Sequence, residues 1–416
     1  MIKNISRAFK HKNYRIYYFF QFFSFIGTWL QSTAQSWLIY KLTGSPIFLG
    51  LVSFAGSLPS LAFAPFAGIS SDHFKRKKVL LVTQILCLIH GAMLAMLFFS
   101  GVINKWHILC LAVFLGIVNS FDVTSRQSFI PLLVDKEDLV NAIALNSSMF
   151  NGARMIGPAI AGVLIASHGE GVCFVLNVLS YVPIITFLFW VKARDQIVKK
   201  IKSPYSQLKE GIIFIWMNRP VRSLLLLVGT FSFWGMSFST LMPIFSDQVL
   251  KSGSKGLGIL MCSSGIGAVI GGLFLASRGK VLGIKKIIAF CSIVFSISLC
   301  AFAFSKSLFL SIFLLVVVGF CFVIINAGNN TTIQALSPDY LRGSVIGFYS
   351  MMFMGMFPVG SLTIGYLAHC FGVASAVAVG SIVCLVAGIY FMLKVPALTK
   401  DSIALYEAKE KPELLI

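Results

Sequence analysis

Arg154 lies about 14 residues into an apolar stretch covering 140–168, where an isolated guanidinium costs about 2.5–3.5 kcal/mol on the insertion scale. It must therefore face a cavity and take a partner. That partner is an anionic group of a ligand, a coupling group, or backbone carbonyls and Asn. Gln21, Ser24, Thr28, Gln31 and Gln35 are spaced three or four apart in another apolar stretch, so they share one helical face. A polar face among lipid tails turns inward, where it either binds a ligand or wets a cavity. Trp29 and Trp37 add aromatic surface for an apolar or catechol-like ligand, with interfacial anchoring as the other role for Trp37. This is recognition chemistry rather than bond-making chemistry. The sequence contains no HExxH or GxSxG pattern, and Phe274 replaces the first glycine that a phosphate-binding loop ending at Gly279-Lys280 requires. No enzymatic activity, cofactor or metal site is expected. The 9 cysteines lie mostly in apolar runs without a CxxC pair and read as small core residues. His90 reads as a hydrogen-bonding core residue rather than a proton carrier. Asp122 and Asp247 fall near opposite ends of their stretches, which leaves no acid at mid-span.

These residues are carried by a chain that is 57% hydrophobic and only 12% charged, about half the charge of a soluble domain. Apolar runs of about 20 residues recur, the length that crosses a hydrocarbon core of about 30 Å. The spans expected are 15–40, 46–69, 79–101, 106–130, 140–168 and 171–192, then 221–247, 255–278, 284–304, 307–332, 341–368 and 372–394. The fold class is thus an all-α membrane protein of twelve transmembrane helices. The first apolar run follows a basic terminus and continues into a full span without a small-residue cleavage site, so it reads as a first helix rather than a signal peptide.

The net charge of +20 is distributed by side. Basic groups crowd Lys3 to Arg15, Lys75 to Lys78, Lys192 to Arg222, Arg278 to Lys286 and Lys394 to Lys411, while the opposite loops carry only Lys41, Lys105, Lys251, Lys255 and Lys306. This bias places both termini in the cytoplasm, and a bacterial inner membrane is the location expected. No continuous basic patch on a soluble domain is left for nucleic acid.

Residues 193–220 separate two six-span bundles, 1–192 and 221–394, and 395–416 reads as a polar cytoplasmic tail. In the linker, Leu208, Ile212, Ile215 and Trp216 share a helical face that suits the cytoplasmic membrane surface, or a plain linker helix. The bundles repeat weakly. Ile130-Pro131-Leu132-Leu133 and Leu139-Val140-Asn141-Ala142 answer to Ile333-Gln334-Ala335-Leu336 and Leu341-Arg342-Gly343-Ser344, and Pro158 answers to Pro358. Such duplication places a pathway between two halves.

The connection after the second span reads Gly68-Ile69-Ser70-Ser71-Asp72-His73-Phe74-Lys75-Arg76-Lys77-Lys78. It resembles the G-x-x-x-D-x-x-G-R-[KR] signature of the major facilitator superfamily, with Lys75 in place of the second glycine. The resemblance implies a conformational latch of Gly68, Asp72 and Arg76 with Asp122 and Arg126 on the fourth span, stabilising an outward-facing state. The fifth span, Asn151-Gly152-Ala153-Arg154-Met155-Ile156-Gly157-Pro158-Ala159-Ile160-Ala161-Gly162, is similar to the glycine-proline motif of antiporters in that superfamily; ordinary small-residue packing is the other reading. Gly27-Thr28-Trp29-Leu30-Gln31 and Trp37 to Ser45 look like the first helix of the enterobactin-exporter-like branch, which also holds macrolide and drug exporters. The same holds for Asp122 through Arg126-Gln127 and for Asn141 to Asn146.

The resemblance implies secondary efflux of a small molecule by alternating access, with the proton as coupling ion. A siderophore is the first substrate expected and a macrolide-like drug the second. The substrate pathway is expected to involve Gln21, Ser24, Thr28, Gln31, Gln35, Asn151 and Arg154, in a monomer within the lipid bilayer. A membrane sensor or lipid-handling protein is the rival from another class.

Overall fold

The computed structural model describes residues 7–73, 76–191, 204–277, 283–338 and 341–410. Among these residues a 3₁₀ turn, Arg7–Lys10, precedes thirteen helices. They are α1 (Lys12–Thr43), α2 (Pro46–His73), α3 (Arg76–Phe99), α4 (Lys105–Phe129), α5 (Leu139–His168), α6 (Glu170–Trp190) and the short α7 (Pro204–Met217). Then come α8 (Arg219–Val249), α9 (Gly253–Ser277), α10 (Ile284–Phe304), α11 (Leu308–Leu336), α12 (Arg342–Phe371) and α13 (Val373–Glu410). There is no strand among the described residues. The helices α3 to α6 and α8 to α13 are long and apolar enough to cross a membrane. The other two long helices, α1 and α2, have 32 and 28 residues, and in α1 the polar stripe dilutes the apolar character.

The chain falls into two compact units. One comprises Met1–Val198 with Thr240–Gly265, and the other Lys199–Ser239 with Ile266–Ile416. In the first unit Tyr17, Phe129, Phe187, Leu80 and Tyr181 form a common core from α1, α3, α4 and α6. In the second, Phe231, Phe295 and Phe322 pack in series as tilted rings, with ring centroids 5.3 and 6.2 Å apart. Local chemistry sets the helix ends. The Asn104 side chain accepts from the Trp106 and His107 amides, both at 3.0 Å, and so caps α4.

The repeat read from the sequence has a structural counterpart. Helices α5 and α12 are both 30 residues long. Both end at a glycine with positive φ, Gly169 (81°) and Gly372 (83°), a conformation that a side chain disfavours.

Two stretches differ from their sequence reading. Helix α8 is regular only to Thr230. A π-helical turn, a 3₁₀ stretch and a second π-helical turn then follow to Val249. The Ser232 hydroxyl donates to the Phe353 carbonyl, and the Ser237 hydroxyl donates to that of Phe357 at 3.4 Å. Side chains thereby cross-bond α8 to α12 where its own ladder is broken. The second difference concerns 395–416, read as a polar tail. Helix α13 continues through it to Glu410. The buried Lys285 ammonium of α10 holds this stretch by donating to the Leu398 carbonyl at 3.2 Å and to the Ser402 hydroxyl.

Candidate functional site

The polar stripe of α1 packs inside the first unit. Gln21, Ser24 and Gln31 are buried, and Thr28 and Gln35 are half-buried. Gln31 donates to His90 Nδ1 at 3.1 Å and accepts from Asn177 Nδ2 at 2.8 Å, bridging α3 and α6. The first contact places the His90 ring proton on Nε2. Thr28 donates to the Ser24 carbonyl at 2.9 Å and lies 3.1 Å from the Tyr181 hydroxyl. Gln31 and Thr28 therefore join helices. The reason is that a buried amide or hydroxyl without a partner is costly. Trp37 is likewise buried, 5.6 Å from the Tyr40 ring, rather than an interfacial anchor.

A second face of α1 does the opposite. Phe25 and Trp29 pack against Met149, Phe150 and Ala153 of α5. The Phe150 ring stands edge-on to Phe25 at 5.3 Å and to Trp29 at 5.9 Å. One guanidinium flanks each end of this aromatic cluster: Arg126 over Phe25 at 4.5 Å and Arg154 over Trp29 at 5.8 Å. Both are cation–π contacts. The two arginines differ in one decisive respect. Arg126 is neutralised by Asp122, one helical turn earlier on α4. Arg154 has no carboxylate in ion-pair range among the described residues. Asn151 does not serve it either, since its amide donates to the Ser147 carbonyl at 2.9 Å. A half-buried cation over an aromatic ring is a ready partner for an anionic group.

Asp122 is only 1% exposed. It accepts from Thr83 at 2.8 Å and from Gln84 Nε2 at 2.7 Å, in addition to its pair with Arg126. This changes the expected latch. Arg76 does not pair with Asp122 but donates to the Ser128 carbonyl at 3.3 Å. Asp122 is already engaged by Thr83, Gln84 and Arg126. Gly68 and Asp72 lie on α2, and their side chains, with Phe74 and Lys75, fall outside the described residues. The sequence reading named Asp122 and Arg126 together but did not pair them with each other, although their four-residue spacing was a visible signal.

The small residues of α5 set close approaches. An ideal Cβ on Gly157 would stand 3.1 Å from the Ile26 carbonyl, pressing on α1 below Trp29. One on Gly162 would meet the Ser254 carbonyl at 2.7 Å and Gly258 Cα at 2.8 Å. One on Gly258 would meet the Pro158 carbonyl at 2.6 Å. Gly152 is different, with only the Phe22 ring at 3.6 Å, which is ordinary contact. At the far end of α1, the Tyr40 hydroxyl donates to Asp247 at 2.6 Å.

Ten helices apolar enough to cross a membrane among the described residues, an inner polar network in the first unit and an arginine over an aromatic cluster describe a multi-pass membrane transporter of small molecules. Residues 6–415 match the family described as transmembrane secretion effector, and the chain belongs to that family of the major facilitator superfamily. Its relatives include the staphyloferrin A transporter of Staphylococcus aureus, 27% identical over 380 residues, covering 90% of this chain and 95% of that protein. The multidrug efflux pump Tap of Mycolicibacterium fortuitum is 25% identical over 360 residues, covering 83% and 87%. Macrolide efflux protein A of Streptococcus pyogenes is 22% identical over 377 residues, covering 88% and 92%. Among solved structures, a bacterial homologue of the human lysosomal transporter Spinster, in an inward-facing and unoccupied conformation, aligns with a TM-score of 0.67 at 15% identity, covering 97% of this chain and 99% of that one. The nucleoside transporter NupG aligns with a TM-score of 0.66 at 16% identity, covering 95% and 99%. These two establish the major facilitator fold.

Proposed function

We propose that the chain exports a small anionic, siderophore-like molecule from the cytoplasm by alternating access. Proton antiport powers the cycle, and the chain works as a monomer in a bacterial inner membrane with both termini cytoplasmic. The observation that carries this reading is Arg154, a guanidinium over Trp29 that no carboxylate neutralises among the described residues. In a low-dielectric site, an anion on such a group gains a charge-assisted hydrogen bond that water would otherwise dilute. The kinship to a staphyloferrin A transporter supports the substrate class, and the kinship to two efflux proteins supports the direction. The side bias of the basic residues supports the orientation. The two six-helix bundles are taken as 1–192 and 221–394, joined by 193–220.

A second reading is export of a hydrophobic drug. The edge-on cluster of Phe25, Phe150 and Trp29 favours it, since such a surface accepts an apolar ring system without a charge. Membrane vesicles turned inside out separate the two. On the first reading, they accumulate an anionic iron chelator when a proton gradient is applied, and Arg154→Ala removes that accumulation at normal expression. Unchanged chelator transport by Arg154→Ala would remove the residue from the mechanism. Drug accumulation that survives the same substitution would establish the second reading.

A further inference from the structure

The stretch Leu139-Val140-Asn141-Ala142 belongs to the internal repeat, yet nothing in the proposed substrate site uses it. In the structure it receives the N-terminal turn. The Ala8 amide donates to Asn141 Oδ1 at 2.9 Å, and the Tyr14 hydroxyl donates to the Ala142 carbonyl at 2.9 Å. One residue before α5 begins, Asp138 gathers three basic groups. Lys10 Nζ lies at 2.6 Å, His11 Nε2 at 2.9 Å and Arg7 Nε at 3.3 Å. Asp135, on the same connection, lies 3.9 Å from His11.

The burial in this cluster is uneven. The Asp138 side chain is 0% exposed, whereas those of Arg7 and Lys10 are 49% and 54% exposed. A carboxylate removed from water and flanked by three basic groups fixes its own backbone, while the flexible cations reach in from the surface. Asp138 makes no hydrogen bond to the amides of its own helix. Both of its oxygens face the segment that starts α1, Oδ2 toward Lys10 and His11 and Oδ1 toward Arg7.

This geometry has a consequence for the substrate site. Trp29 is on α1 and Arg154 on α5, and the two meet near the middle of the unit. At their cytoplasmic ends the same two helices are tied by Asp138, Asn141 and the Ala142 carbonyl. We infer that Asp138 is a positioning residue: by gathering Arg7, Lys10 and His11 it clamps the N-terminal turn to the start of α5, and so keeps α1 and α5, with Trp29 and Arg154, as one rigid body during transport. The link to transport rests on the proposed role of Arg154. The clamp itself does not.

Hydrogen–deuterium exchange of the full chain in detergent micelles tests the clamp without any substrate. Asp138→Asn is expected to raise exchange several-fold in 7–14 and 139–146, and to leave the start of α12 unchanged. Asp138→Glu keeps the carboxylate and is expected to restore protection. Lys10→Gln, on a half-exposed side chain that tolerates replacement, is expected to give a smaller rise in the same two segments. Transport by the same variants in vesicles is expected to fall in turnover more than in apparent affinity, with Asp138→Glu again close to the parent chain. If exchange in 139–146 is the same in Asp138→Asn as in the parent, the clamp is refuted. If exchange rises but turnover does not fall, the positioning role is refuted. If the parent chain moves no anionic chelator at all, the proposed substrate reading fails, while the exchange data still decide the clamp.

Discussion

The starts of α5 and α12 occupy corresponding places in the internal repeat, and they are secured by opposite kinds of chemistry. At α5 the partner is the N-terminal turn, held through ions and hydrogen bonds on Asp138 and Asn141. At α12 the partner is α7, whose Gly211 packs directly on Ser344 and lies 3.5 Å from the Phe348 ring by its ideal Cβ position. On the other side of α7, Ile212, Ile213, Trp216 and Met217 are exposed, and Arg222 covers the Trp216 ring at 5.6 Å. The ionic attachment responds to pH and salt. The packed one responds to bulk alone. The middles of the two helices differ in the same sense. Arg154 interrupts α5 with a charge, whereas the middle of α12 runs through Met351, Met352, Met354 and Met356, soft side chains that fill irregular space.

The largest effect should come from the charged middle. Arg154→Ala is expected to cut transport of an anionic substrate at least about 30-fold, since truncating one member of a buried charge pair costs about 2–5 kcal/mol. Initial rates in vesicles measure it, and folding should be little changed because Arg154 has no ion-pair partner among the described residues. Next in size is the packed contact. Gly211→Leu forces a side chain into Ser344 and should destabilise the second unit by about 1–3 kcal/mol. Its thermal shift in detergent should be the same at low and high salt. Asp138→Asn should give a smaller shift that shrinks as salt rises, because it removes only the ionic attachment.

Acid provides a milder probe of the same difference. The hydrogen bonds from Lys10 and then His11 hold the Asp138 carboxyl below the usual carboxylate range, with burial opposing them. A carboxyl whose folded pKa is depressed stabilises the fold above its unfolded pKa of about 3.9 and loses that contribution as pH falls through the folded value. Exchange in 139–146, taken relative to the intrinsic amide rate at each pH, should therefore be flat down to about 4 and rise below it. Asp138→Asn should abolish that rise. The smallest effect belongs to Met352→Leu, a volume-conserving change at the soft middle of α12, expected to cost less than about 1.5 kcal/mol.

Much of this was legible in the residues. The spans could be drawn because hydrocarbon thickness dictates a length of apolar run and short polar connections separate one run from the next. Arg154 was conspicuous for the same reason, as a charge where charge is expensive. The close packing of Gly157 and Gly162 followed from small residues at helical spacing on one span. Other features were hidden. The stripe from Gln21 to Gln35 announced an inward face, but Gln31 and Thr28 find partners, His90, Asn177 and Tyr181, on two other helices far away in sequence. Asp122 looked like a span-end residue available to Arg76 until Thr83, Gln84 and Arg126 were seen to surround it.

The sequence by itself thus determined the all-helical membrane class, the number of long helices, and the presence of Arg154 as a cation within a span. These are local consequences of transferring side chains between water and hydrocarbon. Only the tertiary structure decided which polar residues are spent on joining helices, which arginine is neutralised, and where the N-terminal turn is held. Those outcomes depend on partners brought together by helix packing, and hydrogen-bond pairing between distant segments leaves no periodic trace in a single chain.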